Sequence, residues 1–276
     1  MQQNLLNENP KLNEIKKSIC KIKKDENNVA TGFFLRTKYN EKDIYLLVTA
    51  HHEIPYTLVE NKKTKIEIII DFENIKQEII LDNHERKIIC LKEEDITAIE
   101  ILDKDIIKNK VKFLKYDKKC IKHQIQNYSN IEAFIFHHPN GENLQCNKGK
   151  ILEVGVPKVY EFRHNIYTQK GSSGSPILYI KKKSKKRPNS RLRVIGVHTS
   201  CDPQTKTNIG TFIYILTSQI KSGKHNIEYI HKLKIPTNVE ALIPTGTKMY
   251  VKSLNSDINS TLIVNGGAHL ILGSDD

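Results

Sequence analysis

From Thr168 to Leu178 the chain reads TQKGSSGSPIL, with three serines among glycines and a proline on the way into an apolar run. Gly171-Ser172-Ser173-Gly174-Ser175-Pro176 has the form G-x-S-G-x-P. Two glycines permit a tight turn in which the N–H groups of Gly171 and Ser173 point at one spot, an arrangement able to hold a developing oxyanion. Pro176 then opens a strand at a place where its missing N–H does no harm. The competing reading is an ordinary Gly/Ser turn between strands, and partners must decide between the two. A serine hydroxyl is a weak nucleophile until a base takes its proton. In YLLVTAHHEI an apolar strand runs into His51 and His52, well placed at the mouth of a cleft, and only one of the pair fits a given geometry. The third group needed is a carboxylate that fixes the imidazole tautomer. EEDITAIEI offers Asp95 as the first residue of an alternating strand. Glu93, Glu94, Asp103 and Asp105 compete with it, but Asp95 alone immediately precedes the pattern ITAIEI.

Such groups need a rigid frame, and the chain supplies one in short runs rich in Ile, Val, Tyr and Phe separated by Asn, Asp, Gly and Lys clusters. This is the all-β signature of a barrel or sandwich. Strands are expected near SICKIKK, TGFFLRT, DIYLLVT, KIEIIID, KQEIILD, RKIICLK and DITAIEI, and again near IEAFIFHH, QCNKGKILEV, KVYEF, SPILYIK, LRVIGVH and TFIYILT. The charged stretch Asp103 to His123 divides the two groups, so two similar all-β halves are expected. TSQIKSGKHNIEYIHKL is expected to close the second half with a helix. Beyond it, Asn265-Gly266 between alternating apolar runs predicts a β-hairpin.

At this point the chain resembles the trypsin/chymotrypsin-like serine proteases. ATGFFLR, LVTAHHEI, EEDITAIEIL, HHPNG with NKGKI, GSSGSPIL and RVIGVHTS occur in that family's order, across about residues 17 to 220. The resemblance implies two six-stranded antiparallel barrels with a cleft between them. It divides the chain into an N-terminal segment 1–16, a first barrel 17–110 with His52 and Asp95, a second barrel 111–223 with Ser173, and an extension 224–276. His52 takes the histidine position of the family's T-A-A-H and so resembles the general base. Asp95 then resembles the orienting carboxylate and Ser173 the nucleophile, with Gly171 and Ser173 as oxyanion hole. Glu53 stands where secreted members often carry a cysteine, and no recognisable activation site precedes the first strand. The chain looks closer to the compact bacterial, organellar and viral branches.

The resemblance also points to a substrate pocket. Thr168, five residues before Ser173, and His198 in VIGVHTS match the Thr-plus-His pairing of glutamyl endopeptidases and of viral proteases that cleave after Gln. A hydroxyl and an imidazole can together bind a carboxylate or carboxamide, which implies cleavage after Glu, with Gln second. The competing reading is a strand-end threonine and a packed strand histidine.

Composition bounds the rest. In a chain of 276 residues, 38% hydrophobic and 27% charged, no apolar run is long enough to span a membrane as a helix. The N-terminus shows no secretory pattern, so a cytoplasmic location is expected. Five scattered cysteines without CxxC spacing argue against a disulfide framework and a zinc site. His137 and His138 read as strand end and turn, since neighbours on a strand face opposite ways. No cofactor is expected. A formal net charge of +13 favours anionic partners, among them an acidic protein or peptide substrate. Nucleic acid rests on charge alone, with no RNA-binding aromatic motif or helix-turn-helix signal beside it. Two alternatives to an enzyme are a protease-like fold used only for protein binding and a basic nucleic-acid-binding β protein. Nothing in the sequence indicates an oligomeric state.

Overall fold

The computed structural model describes residues 14–25, 28–60, 64–181, 191–222, 227–235, 240–243, 248–256, 261–264 and 269–272, with side chains described through residue 222. The chain divides into two compact units, Met1–Thr217 and Ser218–Asp276.

The first unit carries two sheets. Seven strands form the N-terminal one: β1 (Ile19–Lys23), β2 (Val29–Tyr39), β3 (Lys42–Thr49), β4 (Lys65–Ile70), β5 (Ile75–Ile80), β6 (Ile88–Leu91) and β7 (Ile96–Glu100). They lie in the order β5-β4-β1-β2-β3-β7-β6, antiparallel where paired. Alternation drives the burial. In β4 the sequence KIEIII buries Ile66, Ile68 and Ile70, which join Ile22, Phe34, Leu47 and Ile99 in one core. A short helix, α1 (Tyr56–Glu60), follows β3 and adds Val59 to that core.

The expectation of two six-stranded barrels is corrected here. Only the second sheet closes; the first is a curled seven-stranded sheet with free edges at β5 and β6. Side chains, not a ladder, fill the space between those edges. Arg86 donates from Nη1 to Asp105 Oδ2 at 2.9 Å and to the Glu100 carbonyl at 2.8 Å. On the other side Gln77 of β5 accepts from the Ile107 N–H at 2.9 Å and reaches Asp105 Oδ1 at 3.5 Å. A buried ion pair thus stands beside the unpaired edges.

The second sheet is a closed barrel of β8 (Glu132–His137), β9 (Gln145–Val154), β10 (Glu161–His164), β11 (Pro176–Lys181), β12 (Arg191–Asp202) and β13 (Thr207–Phe212), in the order β10-β13-β12-β11-β8-β9. Phe162 and Phe212 meet at 4.5 Å between centroids in its core. The expected strand TFIYILT is shorter than read: β13 ends at Phe212, and α2 (Tyr214–Ser222) begins two residues on. The segment between the halves is stitched to both sheets. Leu114 exchanges hydrogen bonds with β2, donating to Phe34 O and accepting from Arg36 N, and Asp117 and Lys115 do the same with Val194 of β12.

The second unit corrects two further expectations. The expected closing helix is present only at the start of its stretch, in α2, and the end of that stretch passes into a strand, β14 (Ile227–Ile235). The expected hairpin is absent: the strands flanking Asn265-Gly266, β17 (Thr261–Val264) and β18 (His269–Leu272), belong to different sheets, while the turn itself lies outside the described residues. Each pairs in parallel instead, β17 with β15 (Glu240–Ile243) and β18 with β16 (Lys248–Ser256), which pairs with β14.

Candidate active site

Strand β3 is buried through Thr49, and a turn then carries His51 and His52 out of the sheet, with Glu53 and Ile54 N–H groups donating to the Ala50 carbonyl. The adjacent histidines separate at once. His51 turns inward, with Nδ1 3.0 Å from Thr97 Oγ1. That hydroxyl spends its own proton on the Ile54 carbonyl, so His51 donates to it. Burial holds His51 below the ordinary histidine range.

His52 faces the cleft with nearly half its side chain exposed. Its backbone N–H donates to Asp95 Oδ1 at 2.8 Å, and its Nδ1 lies 2.7 Å from Asp95 Oδ2. An ionised carboxylate only accepts, so Nδ1 carries a proton and Nε2 is the basic nitrogen of the neutral ring. Asp95 ends the turn before β7, in the left-handed region at φ 54°, which aspartate tolerates better than most residues. Barrel residues steady that turn: Thr211 Oγ1 donates to the Glu94 carbonyl, and Tyr160 and Lys158 donate to that of Glu93.

Ser173 lies on the turn before β11. Ser172 N–H donates to the Gln169 carbonyl at 3.0 Å, and Gly171 has φ +85°, together a type II turn with Lys170 and Gly171 at its centre. The Lys170 carbonyl accepts from Asn140 N at 2.6 Å. In a trans peptide the N–H points opposite to the carbonyl, so Gly171 N–H faces away from Asn140. Gly174 brings the turn against the histidine segment. A Cβ there would overlap Thr49 Oγ1 and the Thr31 carbonyl and lie 2.9 Å from Ala50 N. Thr31 adds two bonds across the sheets, donating from N to the Ser173 carbonyl at 3.1 Å and from Oγ1 to that of Gly171 at 2.7 Å.

The structure therefore joins Asp95 to His52 and packs the Ser173 turn beside them. It does not join Ser173 Oγ to His52 by a hydrogen bond. Instead His52 Nε2 lies 3.4 Å from Glu53 Oε1, and Glu53 Oε2 is held by Lys24 at 2.9 Å. Sequence reading missed this role of Glu53; its adjacency in HHE was the available signal. The bond to Asp95, and after it that to Glu53, pushes His52 up to about 9. Burial raises the Glu53 carboxyl, but His52 and Lys24 outweigh it and leave it below the usual range.

Thr168 and His198 sit behind the turn without touching each other through a hydrogen bond. His198 borders it directly, its carbonyl accepting from Gly174 N and its N–H donating to Ser175 O. Its ring is buried, with Nδ1 3.3 Å from His164 Nε2, and burial pushes it down to about 3. Thr168 Oγ1 donates to Asn208 Oδ1 at 2.9 Å. His164 and Asn208, the bonding partners of His198 and Thr168, were not revealed by the sequence; they face each other across the β10–β13 pair.

Among the described residues no group of three or more His, Cys, Asp and Glu side chains could hold a metal ion. His137 and His138 serve different neighbours, Ser172 and the Glu142 carbonyl. Of the five cysteines, all with free thiols, only Cys201 is exposed. No helix in the described residues is long and apolar enough to cross a membrane.

No protein-family model and no curated protein matches the sequence. Solved structures do match the fold. The serine endoprotease from Yersinia pestis aligns with TM-score 0.52 at 11% identity, over 80% of this chain and 70% of its own. The HtrA-type protease AlgW, solved with a tripeptide, aligns with TM-score 0.51 at 10% identity, over 77% of this chain and 63% of its own. The active form of the Rv3671c protease from M. tuberculosis aligns with TM-score 0.50 at 13% identity, over 79% of this chain and 85% of its own. At such identities the likeness establishes the fold, that of the trypsin-like and HtrA-type serine proteases.

Proposed function

We propose that the protein is a serine endopeptidase working through an acyl-enzyme, with Ser173 as nucleophile, His52 as general base and Asp95 as its orienting carboxylate. The observation that carries the reading is the pair of hydrogen bonds from His52 to Asp95, which leaves Nε2 as the basic nitrogen beside the Ser173 turn. Ser173 Oγ attacks the scissile carbonyl while His52 Nε2 takes its proton and then passes it to the leaving amine. The carbonyl oxygen gains charge as the tetrahedral centre forms, and the N–H groups of Gly171 and Ser173 receive it. Water, deprotonated by the same imidazole, then hydrolyses the ester. The two sheets supply the parts separately, His52 and Asp95 from residues 17–110 and Ser173 from 111–223. The substrate is a protein or peptide, consistent with the proteases that share the fold.

The preferred residue before the cut is Glu, with Gln second. Support comes from His198 bordering the Ser173 turn and from the polar Thr168–Asn208 pair nearby. The His198 ring is neutral without substrate, so a glutamate carboxylate supplies the countercharge that burial withholds and is bound with proton uptake. Cleavage after Glu therefore gains on cleavage after Gln as pH falls.

A fluorophosphonate probe tests the chemistry: covalent labelling of wild type and none of Ser173→Ala is expected. A folded wild type that stays unlabelled would favour a protease-like binding module. A peptide library profiled at two pH values tests the pocket, and preference for Lys, Arg or large apolar residues would reject it.

A further inference from the structure

Ser172, the residue before the proposed nucleophile, is fully buried and bonded on two sides. Gln169 N–H donates to its Oγ at 3.0 Å, and His137 Nδ1 lies 2.6 Å from the same oxygen. His137 and Asn147 are buried as well. Asn147 Nδ2 lies 2.9 Å from His137 Nε2 and 3.0 Å from the Tyr167 carbonyl.

The protons of this chain follow by elimination. The Tyr167 carbonyl only accepts, so Asn147 must present its NH₂ on this side. An amide nitrogen has no acceptor capacity, so His137 Nε2 accepts the second N–H. The one proton of the neutral ring is then on Nδ1, and His137 donates to Ser172 Oγ. Burial pushes His137 down to about 4, in keeping with a neutral ring at pH 7. Protonating Nε2 would set two donors against each other and break the contact with Asn147.

The clamp acts on the turn that aims Gly171 N–H. Ser172 closes that turn twice on Gln169, with its N–H on the carbonyl and its Oγ on the N–H. Asn140 N–H on the Lys170 carbonyl sets the type II face of that turn, and loosening its Ser172 corner would let the Lys170–Gly171 peptide rotate to the commoner type I and turn Gly171 N–H away. We infer that His137 and Asn147 are positioning residues for the oxyanion site, holding Ser172 and through it the turn in the form that presents Gly171 N–H. The inference rests on the reading of Ser173 as nucleophile.

The full-length chain carries the test. Labelling rate, kcat and KM are measured for wild type, Ser172→Ala and Asn147→Ala, with active-site titration to count competent molecules, and ¹⁵N NMR reads the His137 tautomer. Removing an oxyanion donor costs about 10²–10³ in rate, so a misaimed donor is expected to lower kcat by about tenfold or more in both variants. KM should stay within about twofold, because the loss falls on the transition state. A purely structural role would reduce thermal stability and the titrated fraction but leave kcat per titrated site unchanged, and that result overturns the inference. So does a proton on Nε2 of His137. Labelling of Ser172→Ala at the wild-type rate defeats this inference alone, whereas an unlabelled wild type defeats the reading of Ser173 together with it.

Discussion

His52 has a carboxylate at each ring nitrogen, Asp95 at Nδ1 and Glu53 at Nε2. Both favour the imidazolium, which is why its pKa rises to about 9, yet a general base must be neutral to accept a proton. kcat/KM is therefore expected to climb with pH through an apparent pKa near 9. Glu53→Gln removes one countercharge and should move that limb down while raising activity at pH 7. A wild-type limb near the ordinary histidine value of about 6.5, unmoved by Glu53→Gln, would show that the Glu53 contact does not govern the ring. The same shift has a stability sign. A raised pKa stabilises the fold fully below the ordinary value and loses that contribution as pH rises through about 9, so it opposes the activity trend. Residue types and order made the His52–Asp95 pair legible and singled out Ser173 as the candidate beside it. Residue chemistry alone did not choose between His51 and His52, because the choice is made by hydrogen bonds to Thr97 and Asp95, 46 and 43 positions away.

All seven strands of the first half were legible as short apolar runs, because each contributes side chains to a shared core. Closure was not. Whether β5 and β6 pair depends on what lies between their edges, and there the chain placed Arg86 and Asp105, both side chains about 5% exposed, instead of a ladder. Asp105 read from sequence as a rival to Asp95, but it also accepts from Leu102 N at 2.7 Å and is committed to the gap. Losing one partner of a buried pair strands a charge and costs about 3–5 kcal/mol, whereas replacing both with apolar groups of similar size is near neutral. Arg86→Met alone is therefore expected to lower the unfolding free energy by about that amount in a denaturant titration. Arg86→Met with Asp105→Leu should recover most of it. A double variant as unstable as the single one would mean that the hydrogen bonds to Glu100, Leu102 and Gln77, not the charge pair, hold the gap.

At the scale of the whole chain, the tail was the least legible part, and its pairing explains why. Ile227 faces Lys248, which faces His269, and Glu240 faces Thr261, so each strand meets the chain 21 positions downstream. IEYIHKLKI, KMYVKSLNS and HLIL share no motif by which such a period is usually found. The Asn-Gly signal is local and pointed to a hairpin, while the actual partners are non-local. Charge, by contrast, was readable outright: 44 Lys and Arg against 31 Asp and Glu. That excess acts on approach, not on the chemical step, because exposed charges act over a Debye length of about 10 Å at 0.1 M salt. For a peptide rich in Asp and Glu, kcat/KM is expected to fall steeply as salt rises from about 20 mM to 500 mM, with kcat nearly constant. A peptide whose only charged side chain is the same Glu before the cut should change little. Equal salt dependence for the two would tie the effect to the glutamate they share and would deny the basic surface a part in substrate capture.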